Sequence, residues 1–220
     1  MTRHFRQYLV AYIVLALSCM MSLYSFLVLP EILIVQWGID NQPSNTMPND
    51  MFAIGYPPFA FFMTWLMIFV MKKSLNAHDD RQSESVITYV ATITGFISIA
   101  TQLWIILANA TDIQITPSLF VSYLFAGILI LLGNIMGKVR PNKYVGFRIS
   151  WTMNSDENWL ATHRFGGKVM MIAGLMMLIG TFVSDENVWV IINIVLWWLL
   201  GLFAPFVYSY SMHKKQNDKN

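Results

Sequence analysis

Residues 133–168 read GNIMGKVRPNKYVGFRISWTMNSDENWLATHRFGGK, a polar stretch set between two long apolar runs. Within it lie Lys138, Arg140, Lys143, Arg148, Arg164 and Lys168, six of the fourteen Lys and Arg in the chain. Two Trp, a Tyr and a His are interleaved with them, and Gly and Pro bend the segment. A loop of this kind inside a hydrophobic chain is where function is expected, and the apolar runs around it decide the fold.

Working outward, six segments have the length and composition of membrane spans: Tyr8–Leu29, Met51–Met71, Val86–Asn109, Pro117–Met136, Val169–Ser184 and Val188–Tyr208. A hydrocarbon layer takes about 20 helical residues to cross. The fifth is short and is expected to begin earlier, inside the loop. Only 12% of the residues are charged and 56% are apolar, whereas a soluble domain carries about a quarter charged residues. A lone segment in lipid must satisfy its own backbone donors and acceptors, so the spans are helices. The expected architecture is all-α: a polytopic membrane protein with six transmembrane helices and an interfacial helix in the loop between the fourth and fifth.

Charge placement predicts an orientation. With the N-terminus inside, the inner stretches hold every Lys and Arg, from Arg3 and Arg6 to Lys214, Lys215 and Lys219. The outer stretches hold only acids: Glu31, Asp40, Asp50, Asp112, Asp185 and Glu186. Short loops follow the positive-inside rule, so both termini and residues 133–168 are expected in the cytoplasm. Arg3, Arg6 and the run to Cys19 also fit a cleaved signal, but the run stays apolar about ten residues further, as a spanning helix does. The single Cys forms no internal disulfide.

Three regions are expected: a hairpin over residues 1–75 with an outer loop at 30–50, a four-helix region at 76–210, and a basic tail at 211–220. The outer loop begins apolar and carries Trp37, so its start is placed along the membrane surface. Tyr56-Pro57-Pro58 is expected to kink or delay the second helix. Residues 72–85 read as a connector, and the tail as disordered near anionic headgroups.

In the inner loop, Gly137 and Pro141 end the fourth helix. Asn154 or Ser155 then caps a new one, with Asp156 and Glu157 beside its positive dipole end. Trp159, His163 and Gly166 or Gly167 follow at helical spacing and share a face that runs on through Met170 and Gly174. Gly167 and Gly174 permit close approach of a neighbouring helix.

Two readings of the cations compete. Arg140, Lys143 and Arg148 suit an anion site built with free amides, or they neutralise anionic lipids with Tyr144, Trp151 and Trp159 as interface anchors. His163 is a proton carrier or a structural His bonded to a carbonyl. No metal-ligand spacing, nucleophile triad or nucleotide loop is present, so neither catalysis, a metal nor a cofactor is expected. The span centres lack ionised groups, which speaks against an ion-coupled carrier. Thr94, Gln102 and Asn193 suffice for helix–helix hydrogen bonds.

The series Arg140, Asn142, Gly146, Arg148, Trp151-Thr152, Ser155, Glu157, Trp159, His163 and Gly166 resembles the signature of the SdpI-like membrane proteins. These are bacterial immunity proteins against secreted peptide toxins. The outer loop, from Pro30 and Glu31 through Gln36 and Trp37 to Asn41-Gln42-Pro43, is similar to the small domain that often precedes the SdpI region. Gln36 stands there where the family shows His, and Asn41 where it shows Gly. The resemblance implies a bacterial cell-membrane protein that protects against a membrane-active peptide and in some members signals through a cytoplasmic regulator. It implies binding roles for the inner series, and outer-loop roles for Pro30, Glu31, Gln36 and Trp37. No nucleic acid partner is expected. The rivals are a small-molecule or lipid transporter, and a membrane enzyme acting on a lipid-linked phosphate with His163 as base.

Overall fold

The computed structural model describes residues 3–75, 81–110, 116–141, 145–183 and 186–217. The elements run α1 (Arg3–Val28), β1 (Ile32–Trp37), β2 (Pro43–Pro48), α2 (Asn49–Leu75), α3 (Arg81–Ala110), α4 (Pro117–Met136), α5 (Ser150–Met153), α6 (Asp156–Val183) and α7 (Asn187–Asn217). All but α5 and the two strands are long and apolar enough to cross a membrane, which makes six spans. The chain is a multi-pass helical membrane protein.

The chain forms two compact units. The first joins α1, the strands and α2 to α3 from Ile87 onward. One face of α1 buries Ala11, Val14, Ser18, Ser22 and Ser25, positions three or four apart on a helical stripe. The carboxamide oxygen of Gln102 accepts the Ser18 hydroxyl at 2.7 Å, and its nitrogen donates to the Ser22 hydroxyl at 2.9 Å and the Ser18 carbonyl at 3.1 Å. Gln102 therefore acts as the helix–helix polar contact expected of it. Thr94 instead donates to the carbonyl of Val90 on its own helix. At the end of α2 preceding Leu75, the Lys72 ammonium lies 4.3 Å from the Tyr8 ring centroid, a cation–π contact.

The outer loop has regular structure. It is an antiparallel hairpin in which Ile34 pairs with Thr46 and Leu33 with Met47. Ile32-Leu33-Ile34-Val35 is rich in β-branched residues, which favour a pleated strand. Leu33 is fully buried with Phe52, Ile105 and Ile106, so the strand is held by core packing.

Residues 38–42 make the turn, with the Gly38 amide donating to the Gln42 carbonyl at 2.8 Å. Asn41 adopts φ +63°, a left-handed conformation that Asn tolerates far better than most residues with a Cβ. That explains how Asn can stand where the similar domain shows Gly.

Pro57 and Pro58 do not delay α2, which already begins at Asn49. The start is determined by Asn49 itself. Its backbone amide donates to the Glu31 carbonyl at 2.8 Å, while its side chain accepts the Ser25 hydroxyl at 2.7 Å and donates to the Ser25 carbonyl at 2.8 Å.

The second unit holds most of α4 together with α5, α6 and α7. Its core is Ala126, Leu129, Phe147, Met170, Ala173 and Met177. Glycines let α4 and α6 touch backbone to backbone: a Cβ built on Gly133 would lie 2.6 Å from the Gly167 carbonyl oxygen, and one on Gly174 2.7 Å from that of Ala126. The seven-residue glycine spacing thus serves close approach. Asn193 of α7 donates to the Met177 carbonyl and the Thr181 hydroxyl of α6, and Thr181 pairs with Ser122 of α4 at 2.7 Å.

The capped helix of the inner loop runs unbroken into the fifth span, 28 residues in all, so that span begins inside the loop as its short apolar run led one to expect. One expectation needs correction. The tail expected to be disordered is helical as far as Asn217, because α7 continues beyond the apolar run and stacks His213 on Trp151.

Candidate functional site

α4 ends at Met136, and the Val139 amide bonds back to the Met136 carbonyl. The Val139 carbonyl then accepts the indole N–H of Trp159 at 2.9 Å. Trp159 lies in the first turns of α6, whose N-terminus is capped by the Ser155 hydroxyl accepting the Asn158 amide. Of the two capping candidates, Ser155 is the one used. Trp159 is fully buried, and its ring stacks on His163, with centroids 4.1 Å apart and planes 17° apart.

His163 uses both ring nitrogens on main chain. Nδ1 lies 2.8 Å from the Trp159 carbonyl, which can only accept, so Nδ1 carries the proton. Nε2 accepts the Phe147 amide N–H at 2.9 Å. The imidazole is therefore the neutral Nδ1–H tautomer, and it bridges a helix and a loop. This is the structural role weighed for His163 against that of proton carrier.

The Phe147 carbonyl is held as well, accepting the Thr152 hydroxyl at 2.7 Å. Thr152 also bonds Ile149 through both its amide and carbonyl, which organises the short α5. Phe147 thus has both backbone groups satisfied by side chains while its ring packs on His163 and Phe206.

Two glycines make this fit possible. Gly146 has φ +122°, a conformation that L side chains rarely adopt, and a Cβ there would collide with His163 Nε2. At Gly166 a Cβ would lie 2.5 Å from the Phe147 ring and 3.0 Å from Pro205.

The loop is consequently pinned at Val139 and at Phe147, and each anchor immediately precedes an arginine. Arg140 and Arg148 are both exposed, each following a residue whose main chain is bonded to the Trp159–His163 stack. Lys138, Arg164 and Lys168 are also exposed. Trp151 lies apart from the stack, between Tyr210 and His213 of α7. Asn142, Lys143 and Tyr144 lie outside the described residues.

The structure therefore sorts the inner series by location. Trp159, His163 and Gly166 converge on Phe147 and Thr152 in the interior, and the exposed Gly146 lies against the His163 ring, whereas Arg140 and Arg148 face outward. A polar clasp that the sequence reading missed lies one position from Trp159. The Asn158 carboxamide oxygen accepts from Thr162 and Ser209, and its nitrogen donates to the Ser209 carbonyl at 3.0 Å, tying α6 to α7. Its signal in the sequence was the spacing of Asn158 and Thr162, four residues apart beside the Trp159–His163 face.

In the first unit, Pro30, Glu31 and Gln36 are exposed, while Trp37 is half-buried against Trp104 at 4.3 Å. Trp104 stacks in turn on Phe120. The amide N–H and carbonyl of Ile34 are both bonded to the Asn109 carboxamide, each at 2.9 Å. The outer edge of β1 is thereby closed by a side chain.

Comparison with known proteins agrees with the residue pattern. Residues 138–209, from the loop's first anchor through α7, match the SdpI/YfhL protein family. The chain is 26% identical to the Immunity protein SdpI of Bacillus subtilis (strain 168) over 215 residues, 95% of this chain and 97% of that protein. No solved structure matches. The chain is SdpI-like.

Proposed function

We propose that this SdpI-like membrane protein is an immunity protein that protects a bacterial cell from a secreted, membrane-active peptide toxin. The observation that carries this reading is the similarity to Immunity protein SdpI along nearly the whole of both chains. The outer hairpin would meet the peptide. The exposed Arg140 and Arg148 would face a cytoplasmic regulator or anionic lipid headgroups, held in place by their buried anchors. The reading is non-catalytic. It is supported by His163, whose two nitrogens are engaged by backbone groups, so that this imidazole is not free to act as the base of an enzyme on a lipid-linked phosphate. A transport path has no better support, because Gln102 is bonded to Ser18 and Ser22.

The orientation belongs to the same proposal. With all fourteen Lys and Arg on one side, both termini and the Arg-bearing loop lie in the cytoplasm and the hairpin lies outside. Single cysteines at Asn45 and Asn154, in a Cys19→Ser background, should react with a membrane-impermeant maleimide from opposite sides. Labelling from the same side overturns the orientation.

The deciding experiment is toxin challenge of a sensitive bacterium that expresses the protein. Wild type should confer resistance, and Arg148→Ala should lose it at an unchanged membrane level. Sensitivity with wild type present at normal levels would sink the immunity reading.

A further inference from the structure

Beneath the hairpin of the first unit is an apolar pocket of about 390 Å³, walled by Val35 and Met47 of the strands, Met51, Gly55 and Phe59 of α2, and Ile105 of α3. Ligand sites run from about 300 Å³ upward, so the space suits one or two bulky side chains. The one polar side chain at its wall, Tyr56, donates its hydroxyl to the Ser98 carbonyl at 2.8 Å and so leaves the pocket without a free donor there.

The sheet itself is closed to strand addition. Asn109 occupies the free edge of β1 at Ile34. β2 carries Pro43 and Pro48 at its ends, and its Thr46 amide is taken by the Asn45 side chain. Prolines and occupied amides on an edge are devices that prevent strand pairing. Recognition at the hairpin must therefore go through side chains.

Charge selects the occupant. No Lys or Arg occurs between Arg6 and Lys72, while Glu31, Asp40 and Asp50 all lie in or beside the hairpin and are exposed. Those carboxylates repel anionic lipid headgroups and attract cations. We infer that the pocket receives a bulky apolar side chain of a cationic peptide, with lysine or arginine residues flanking that side chain near the hairpin carboxylates. This inference rests on the immunity reading and specifies where the peptide would be held.

The test uses the full chain in phosphatidylcholine nanodiscs and a fluorophore-labelled heptapeptide with Leu-Phe-Leu between two Lys at either end. Gly55→Leu fills the pocket from its own wall. A Cβ at Gly55 meets nothing within 4 Å, so the variant is compatible with the fold. Fluorescence anisotropy should show saturable binding to wild type. Gly55→Leu should weaken it by about tenfold or more, as should Phe→Ala in the peptide. The double variant Glu31→Gln, Asp50→Asn should weaken it and flatten its salt dependence.

Equal binding by wild type and Gly55→Leu, or no binding at all, would overturn the pocket assignment. So would quenching by brominated acyl chains of a probe at residue 55 that the peptide cannot relieve, since lipid would then be the occupant. These readouts do not involve protection. If the pocket fails while wild type still resists toxin, the immunity reading stands. If wild type gives no resistance while the peptide binds as described, only the immunity reading falls.

Discussion

The main-chain amide of Phe147 donates to Nε2 of His163 at 2.9 Å, and the arginine that follows Phe147 is exposed. A buried imidazole thereby determines where an outward cation stands. The same arrangement occurs at Val139, whose carbonyl is held by Trp159 and whose successor is Arg140. Buried aromatic residues and exposed charges of one sequence pattern thus act as parts of one device: the former hold the backbone that the latter project from.

His163→Ala would leave the buried Phe147 amide without an acceptor and open a cavity beside Trp159. An unsatisfied buried donor costs about 1–3 kcal/mol, and lost packing adds to it. Thermal unfolding in detergent should show a loss of about 3 kcal/mol. Retention of wild-type stability would mean that the bond contributes nothing to the fold.

Gly146→Ala should be comparably damaging, by about 2–4 kcal/mol, because φ +122° and the His163 ring both exclude a methyl group. Combined with His163→Ala, which removes the collision but not the backbone strain, Gly146→Ala should cost less than it does alone, so the double variant should lose less than the sum of the two single losses. Strict additivity in the same melt would show that the collision contributes nothing.

Arg148→Ala, in contrast, removes an exposed side chain and should melt within about 0.5 kcal/mol of wild type. Trp159→Ala should lower stability by about 3–5 kcal/mol and reduce the membrane level measured by immunoblot. Loss of protection in Trp159→Ala would then report on folding. Only loss in Arg148→Ala, at equal membrane level, identifies a contact residue.

Asn109→Leu would free both backbone groups of Ile34, at a cost of about 2 kcal/mol. Hydrogen exchange at Ile34 should accelerate while that at Gly133 stays unchanged. Equal exchange at Ile34 in variant and wild type would show that the hairpin edge is protected by something other than this side chain.

Gln102→Leu removes bonds to Ser18 and Ser22. Hydrogen bonds between membrane helices average about 0.6 kcal/mol each, so the variant should lose roughly 1–2 kcal/mol in the same unfolding assay. An unchanged melt would place the α1–α3 association entirely in apolar packing.

The hydrophobic runs by themselves determined that six helices form, because a spanning segment satisfies its own backbone and needs no distant partner. Local spacing likewise sufficed for the Ser155 cap and for the shared face of Trp159 and His163, since both are properties of a single helix. The glycines at 167 and 174 announced a close approach without saying which helix would make it. Other features depended on residues far apart in the chain. The hairpin is held by Asn109, 75 residues from Ile34, and Asn158 is bonded to Ser209, 51 residues away. No window of sequence contains both members of either pair. The loop at 133–168 stood out in the sequence as a mixture of basic and aromatic residues. Only the tertiary structure separated the two, because burial is decided by what packs against a residue and not by its neighbours in the chain.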